Sequence, residues 1–182
     1  NISTSLRTFS RADTSEKVLF NIHDGIDSTI LILRHRLKAN EQRPEIQVIK
    51  EYGSLPKVKC FPGQLNQVFM NLLANAIDAL DEANQGHSFA EIEANPNQIA
   101  IFTEVLLEQN SVVIRIKDNG LGMSEAVRVR IFDHLFTTKA VGKGTGLGLS
   151  ISRQIVEETH SGQLSCISAP GEGTEFAIEI PM

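Results

Sequence analysis

The chain has 182 residues, of which 41% are hydrophobic and 21% charged, and its formal net charge is −5. This composition fits one globular domain with a real core and excludes a disordered chain. The acidic balance argues against nucleic acid as a partner, and no apolar run approaches the roughly 20 residues that span a bilayer. We therefore expect a cytoplasmic domain without a signal peptide and without direct membrane contact.

The N-terminal third of the chain predicts one helix and two strands. Residues 1–16 have the polar pattern expected for the tail of a helix that enters from upstream. Asn21 is a suitable helix N-cap, and apolar residues at helical spacing continue that helix to near Asn40. Strands are predicted over residues 46–52 and, after a turn, at the end of residues 55–60.

The long helix predicted over residues 64–84 has the clearest buried face in the chain. Pro62 is well placed to open this helix. Its apolar positions recur every three or four residues, as an amphipathic helix requires. They are Leu65, Val68, Phe69, Leu72, Leu73, Ala76, Ile77 and Leu80.

The remainder of the chain alternates strands and helices. Residues 84–98 are polar and irregular, and we assign them no element and no function. The predicted elements that follow are strands at 99–107 and 111–117, a helix at 124–132 capped by Ser124, a loop at 133–144, a helix at 147–159, and strands at 163–168 and 174–180. This order predicts a two-layer α/β sandwich with a mixed, mostly antiparallel sheet and helices on one face.

Three glycines alternate along residues 144–148, directly before the amphipathic stretch 149–158. Glycines at a helix start let backbone N–H groups close on a phosphate, and the helix dipole adds positive partial charge. The preceding loop carries Thr137, Thr138, Lys139 and Lys143. Its lysines would offer point charges to a polyphosphate, whereas ordinary turn chemistry and a solvated loop are the alternatives.

The polar side of the long helix carries two asparagines four residues apart, Asn71 and Asn75, followed by Asp78. Asparagine is a poor helix former because its side chain competes for backbone hydrogen bonds, so two of them in mid-helix need a reason. One reason is a hard cation such as Mg²⁺, which favours one or two protein oxygens beside water and phosphate oxygens. A solvated polar face is the structural alternative.

Asp118 ends a predicted strand and is followed by Gly120 and Gly122. An acid at a strand end can accept a hydrogen bond from the amino group of a base, and the glycines allow a flat ring to approach the backbone. A simple Asn-Gly turn between elements is the alternative. Thr174, which opens the last strand, could bond a ring nitrogen of the same base.

Taken together, these segments resemble the catalytic ATP-binding domain of sensor histidine kinases, a branch of the group that includes DNA gyrase, MutL and heat-shock chaperone ATPases. The resemblance implies the Bergerat ATP-binding fold, and it covers residues 17–182, with residues 1–16 as the tail of an upstream dimerisation helix. The matching boxes are the asparagine box at 71–76, the glycine boxes at 118–122 and 144–149, the phenylalanine box at 132–136, and the closing segment at 171–176.

The resemblance implies ATP and Mg²⁺ as cofactors and a role for each matching position. Asp118 would bind the adenine amino group, and Asn75 would hold the metal. Asn71, Asn75 and Lys139 would be catalytic, and residues 133–143 would form a lid over the nucleotide. The implied nucleotide contacts are Asn71, Asn75, Asp78, Asp118, Gly120, Gly122, Met123, Phe136, Thr137, Thr138, Lys139, Lys143, Gly144, Thr145, Gly146, Leu147, Gly148, Leu149 and Thr174.

Two positions of the long helix depart from patterns common in this family. Asp78 stands where many members carry a basic residue, and Ala79 stands where an aromatic residue often touches the adenine. In the hydrolysing members of the wider group, the place of Asn71 is taken by a glutamate that activates water. An amide cannot take a proton, so Asn71 favours transfer to a protein nucleophile and predicts slow free hydrolysis of ATP.

The resemblance also implies partners. The acceptor histidine is expected upstream of Asn1. His23 is a poor candidate, because Gly25 follows it and the proline that acceptor helices carry does not. The expected partners are therefore an upstream dimerisation domain with the histidine phosphoacceptor, and a response regulator that acts through a homodimeric parent kinase, which could itself be membrane-anchored. Two rival functions stay open: a nucleotide-gated interaction module, and a serine kinase of the anti-sigma type with the same fold.

Overall fold

The computed structural model describes residues 16–133 and 148–182. The first group of elements is β1 (Val18–Phe20), α1 (Ile22–Ile32), α2 (Arg34–Leu37), β2 (Gln47–Tyr52), β3 (Val58–Cys60), α3 (Pro62–Ala83) and α4 (Phe89–Ala94). The second group is β4 (Gln98–Leu106), β5 (Ser111–Asp118), α5 (Glu125–Arg128), α6 (Gly148–Gln154), a π-helical turn (Ile155–Thr159), β6 (Gln163–Ser168) and β7 (Thr174–Pro181).

The main sheet has five strands in the order β2-β4-β5-β7-β6. β2 runs parallel to β4, and each of the other neighbouring pairs is antiparallel. β1 and β3 form a separate antiparallel pair. The predicted mixed, mostly antiparallel sheet is therefore confirmed. The register places Asp118 of β5 opposite Thr174 of β7, so two separate segments of the chain meet at one end of the sheet.

The core lies between one face of the sheet and the helices. Alternate residues of β7 are buried, as expected for a strand with one covered face. The predicted apolar face of α3 is confirmed, since all eight of its side chains are at most 5% exposed. Ile22 and Ile26 of α1 are also fully buried, and α1 packs on α3. Burial of each large side chain stabilises the fold by roughly 1.5–3 kcal/mol.

The helix starts follow the sequence more closely than the helix ends. Asn21 caps α1 by accepting a hydrogen bond from the backbone N–H of His23, and Pro62 lies in the first turn of α3. The first helical region ends at Leu37, earlier than predicted, because the Asn40 side chain accepts hydrogen bonds from the backbone of the residues that follow it. The predicted helix at 124–132 shortens to α5, which Ser124 caps.

The absence of an element between residues 84 and 98 was a wrong prediction. α4 forms there, and a capping box holds its start: Ser88 accepts from the backbone of Glu91, whose side chain accepts from the backbone of Ser88. Asn119 ties this segment to the sheet, because its amide nitrogen donates to the carbonyl of Pro96 and its amide oxygen accepts from the backbone N–H of Gln98.

The helix that follows the glycine run changes its geometry after two turns. α6 passes into the π-helical turn, and His160 closes that turn with a contact of 2.9 Å between Nδ1 and the carbonyl oxygen of Ile155. The other ring nitrogen, Nε2, accepts from the backbone N–H of Phe61, directly before α3, at 3.1 Å. Over residues 16–133 and 148–182, no helix has the length and apolar character of a membrane span.

Candidate functional site

Asp118 lies at the end of β5 and is 4% exposed. Its carboxylate accepts a hydrogen bond of 2.9 Å from the backbone N–H of Gly120. Burial raises the pKa of Asp118, while hydrogen bonds from the backbone of Gly120 and Thr174 act in the opposite direction. Backbone N–H groups therefore hold this buried acid in place. Among the described residues, none of the contacts that shift its pKa is a cation.

Close backbone approach around Asp118 depends on glycine at three positions. A Cβ on Gly120 would lie 3.3 Å from the carbonyl oxygen of Ala79 in α3. Gly122 has a φ of 73°, and a Cβ there would collide with the carbonyl oxygen of Ala169. Gly173 has a φ of 76°, and its Cβ would collide with the carbonyl oxygen of Asp118. Glycine is required at both positive-φ sites by conformation and by space.

A hydroxyl network joins the loop after Asp118 to the last two strands. The Ser168 hydroxyl donates to the carbonyl of Gly173 at 2.9 Å and lies 2.9 Å from the hydroxyl of Thr174. The same oxygen accepts from the backbone N–H of Met123 at 2.8 Å. The structure thus brings Asp118, Gly120, Gly122, Met123 and Thr174 together. Ser168 was missed, because no spacing or motif in the sequence distinguishes it.

Asn71 connects α3 to the helix that follows the glycine run. Its amide nitrogen donates to the carbonyl of Gly148 at 3.2 Å and to the hydroxyl of Ser152 at 3.1 Å. Ser152 is fully buried, and Leu149 packs on the core. Ser152 was also missed, although it lies four residues after Gly148, on the same side of the helix.

Asn75 and Asp78 follow Asn71 along one side of α3, and all three are partly buried. Asp78 was predicted to contact the nucleotide. In the structure its carboxylate forms an ion pair with the guanidinium of Arg36 in α2, at 2.7 Å. Arg36 is a further residue that the sequence did not indicate, since 42 positions separate the two partners.

Part of the predicted site lies outside the described residues. These positions are Phe136, Thr137, Thr138, Lys139, Lys143, Gly144, Thr145, Gly146 and Leu147. Their predicted roles stay predictions. The structure describes the helices and strands on both sides of this segment, from Asp133 backwards and from Gly148 onwards.

The donor set on α3 is compatible with a hard cation that keeps most of its ligands from water and phosphate. Within residues 16–133 and 148–182, no three His, Cys, Asp or Glu side chains form a metal-binding group. Asn75 lies one turn beyond Asn71 and offers an amide oxygen. Mg²⁺ commonly takes only one or two protein oxygens together with substrate phosphates, so the residues present fit this ion and not a metal that needs a full protein cage.

Comparisons with known proteins agree with this geometry. Residues 61–182 match the model of the family described as histidine kinase-, DNA gyrase B-, and HSP90-like ATPases. Sporulation kinase E of Bacillus subtilis (strain 168) is 35% identical over 154 residues, which cover 85% of this chain and 18% of that protein. Sensor kinase CckA of Brucella abortus (strain 2308) is 34% identical over 177 residues, which cover 97% of this chain and 18% of that protein.

A solved structure shows the same architecture. The catalytic domain of histidine kinase ThkA superposes with a TM-score of 0.72 at 27% identity, covering 91% of this chain and 95% of that one. The match covers nearly all of a solved catalytic domain, but it spans only 18% of the length of the two sensor kinases above.

Proposed function

Since the chain belongs to the family of histidine kinase-, DNA gyrase B-, and HSP90-like ATPases and is a catalytic domain of the histidine kinase type, we propose that it binds Mg·ATP and transfers the γ-phosphoryl group to a histidine. The acceptor histidine belongs to a dimerisation domain upstream in the parent protein. The observation that carries the proposal is the buried carboxylate of Asp118, held by backbone donors where β5, β7 and α3 meet.

Asp118 selects the base by hydrogen-bond polarity. Adenine presents an amino donor at the position where guanine presents a carbonyl oxygen. A buried carboxylate accepts a hydrogen bond from the amino group of adenine. Opposite the carbonyl oxygen of guanine, the carboxylate would face a second hydrogen-bond acceptor with no donor between them. Thr174, whose hydroxyl lies 2.9 Å from that of Ser168, is the second polar group offered to the base. This arrangement supports ATP over GTP.

The phosphates lie between α3 and the start of α6 in this proposal. Asn75 is the metal ligand, with Asn71 one turn earlier on the same side of the helix. When bound, Mg²⁺ neutralises charge on the phosphates and orients them for in-line transfer. Lys139 and Lys143, together with the glycines of the 144–148 run, are proposed to complete the phosphate contacts from the lid.

Transfer is favoured over hydrolysis by the chemistry of Asn71. Its amide nitrogen donates to Gly148 and to Ser152, which fixes the orientation of a side chain that cannot act as a general base. Nothing in this amide can deprotonate a water molecule. The histidine of the acceptor domain supplies its own nucleophilic nitrogen, so the catalytic domain needs to provide only positioning and charge neutralisation.

The partners follow from the parent protein. The proposed assembly is a homodimeric sensor kinase in which this domain acts in the cytoplasm on the phosphoacceptor helix and a response regulator receives the phosphoryl group. The comparison with relatives about five times as long supports additional domains in the parent.

The test is incubation of the domain with γ-labelled ATP and its full-length parent or the isolated dimerisation region. We expect label that is lost in acid and stable in base, as phosphohistidine is. Label stable in acid would point to a serine kinase, and ATP binding without label would point to a nucleotide-gated module. The D118N variant is the control, since it removes the charge of the carboxylate and should strongly reduce label at an ATP concentration near the Kd of the unmodified protein.

A further inference from the structure

The ion pair between Arg36 and Asp78 places a cation against α3, about one turn beyond Asn75. Asp78 lies three residues after Asn75, and an α-helix returns to the same side every three to four residues. The adjoining residue, Ala79, contacts the glycine loop after Asp118 through its backbone. Arg36, which is 2.7 Å from Asp78, therefore lies at the margin of the candidate site and not on a remote surface.

A second arginine fixes the segment that carries Arg36. Arg43 is 3% exposed, and its guanidinium bonds Asp81 of α3 at 2.9 Å and the carbonyl oxygens of Lys38 and Pro44 at 3.1 and 3.2 Å. It also bonds the backbone carbonyl of Arg36 at 2.5 Å. The backbone of Arg36 is thus anchored to α3 independently of its own side chain.

The ion pair changes the charge that a bound polyphosphate would meet at position 78. An acid at position 78 would repel the polyphosphate of a nucleotide held by the neighbouring asparagines. Pairing with Arg36 neutralises that acid. A guanidinium carries five N–H donors, and one of its nitrogens, Nη2, supplies the bond to Asp78, so Arg36 can hold Asp78 and still present donors to an anion. Both side chains keep about a third of their surface exposed, so the pair is accessible.

We propose that Arg36 is a phosphate-binding residue: α2 supplies a positive charge to the polyphosphate held near Asn71 and Asn75. This inference rests on the proposed binding of Mg·ATP and adds a residue to that site. Asp78 is then the ion-pair partner that partly offsets the charge of Arg36, and it is not itself a ligand of the nucleotide. The ligand recognised by Arg36 is the polyphosphate, so its effect depends on phosphate charge and not on the base.

The test compares two single variants that change charge in opposite directions, with Kd measured for ATP, ADP and adenosine. R36Q should weaken ATP about tenfold and ADP less, and leave adenosine unchanged, because one charge-assisted contact is lost. D78N should bind ATP as tightly as the unmodified protein or more tightly. R34Q is the matched control, since Arg34 is exposed on the same short helix.

Two outcomes would overturn the inference. Equal weakening of ATP and adenosine by R36Q, with a loss of thermal stability, would make the ion pair only structural. Weaker ATP binding by D78N would make Asp78 the ligand. Should R36Q fold poorly, the R36D/D78R pair keeps the ion pair but moves the cation to α3, and it should bind ATP more tightly than R36D alone; failure to do so counts against the inference. An ATP affinity of D118N equal to that of the unmodified protein would instead contradict the proposed function.

Discussion

The two halves of the candidate site are built in different ways. Around Asp118, the backbones of β5, β7 and α3 approach so closely that glycine is needed at several positions. Between α3 and α6, side chains make the connection, with the amide of Asn71 reaching Gly148 and Ser152. The proposed base-binding half, around Asp118, is therefore set when the sheet folds. The proposed phosphate-binding half, between α3 and α6, depends on individual side-chain hydrogen bonds.

The largest effect is expected in the base-binding half, from Gly173→Ala. Gly173 has a φ of 76°, and a Cβ there would collide with the carbonyl of Asp118. We expect a loss of roughly 3–5 kcal/mol in the free energy of unfolding, together with loss of nucleotide binding. Urea denaturation and an ATP titration measure both quantities.

Gly171→Ala is the matched control for Gly173→Ala. Gly171 has a φ of 80°, but nothing lies within 4 Å of a Cβ at that position. Only the conformational cost applies, roughly 1–2 kcal/mol. Equal destabilisation by the two variants would contradict the importance of close backbone approach.

Asp118→Asn is expected to weaken ATP binding about 10- to 100-fold, since it replaces a charged acceptor by a neutral amide. Burial raises the pKa of Asp118. The carboxylate of the unmodified protein therefore gains a proton at a higher pH than an ordinary aspartate. ATP affinity should fall as the pH falls through that raised pKa, and D118N should lack this step. Calorimetric titration between pH 4 and pH 8 checks both.

The control variant removes a carboxylate charge from Asp24, an exposed residue of α1. Asp24→Asn should leave both the affinity and its pH dependence unchanged. A pH step that persists in D118N would assign it to another group.

A smaller effect is expected in the phosphate-binding half from Ser152→Ala. The change removes one of the two acceptors of the Asn71 amide. We expect about 1 kcal/mol of lost stability and about threefold weaker ATP binding, with adenosine binding unchanged. Ser165→Ala, on the exposed side of β6, is the control. If Ser152→Ala weakened adenosine as much as ATP, the two halves of the site would not be separable.

The smallest effect on binding is expected from Ser88→Ala in α4. This serine caps α4 and lies outside both halves of the site. Loss of the cap should cost about 1 kcal/mol in stability and leave ATP affinity unchanged. A change in affinity would indicate that α4 communicates with the site through Asn119, which bonds the backbone at Pro96 and Gln98.

The backbone geometry around Asp118 was largely predictable, because its requirements are encoded locally. Asp118 with its two glycines, and Gly173 with Thr174, are short motifs whose backbone requirements can be read from residue type. The apolar spacing of α3 likewise identified its buried face. The pairing of β5 with β7, which joins these motifs, was not predicted, since the chain between Asp118 and Thr174 carries no pairing signal.

The rest required the structure because it depends on contacts between distant residues. Arg36 and Asp78 belong to different helices, and neither helical spacing nor charge count links them. Ser168 is an ordinary strand serine in the sequence, yet it bonds three separate groups. α4 is different, because Ser88 and Glu91 have the spacing of a capping box. The start of this helix was therefore predictable from the sequence, although the surrounding stretch is polar.

His160 links the beginning of α3 to the end of the helical segment that starts at Gly148. Its ring accepts the N–H of Phe61 at the beginning of α3, while Ser152, eight residues earlier, meets Asn71 farther along the same helix. The segment from Gly148 to His160 thus contacts α3 near both of its ends, and it cannot move along α3 as a rigid body. We expect a displacement of Gly148 to be accommodated within the π-helical turn at Ile155–Thr159, which lies between the two contacts.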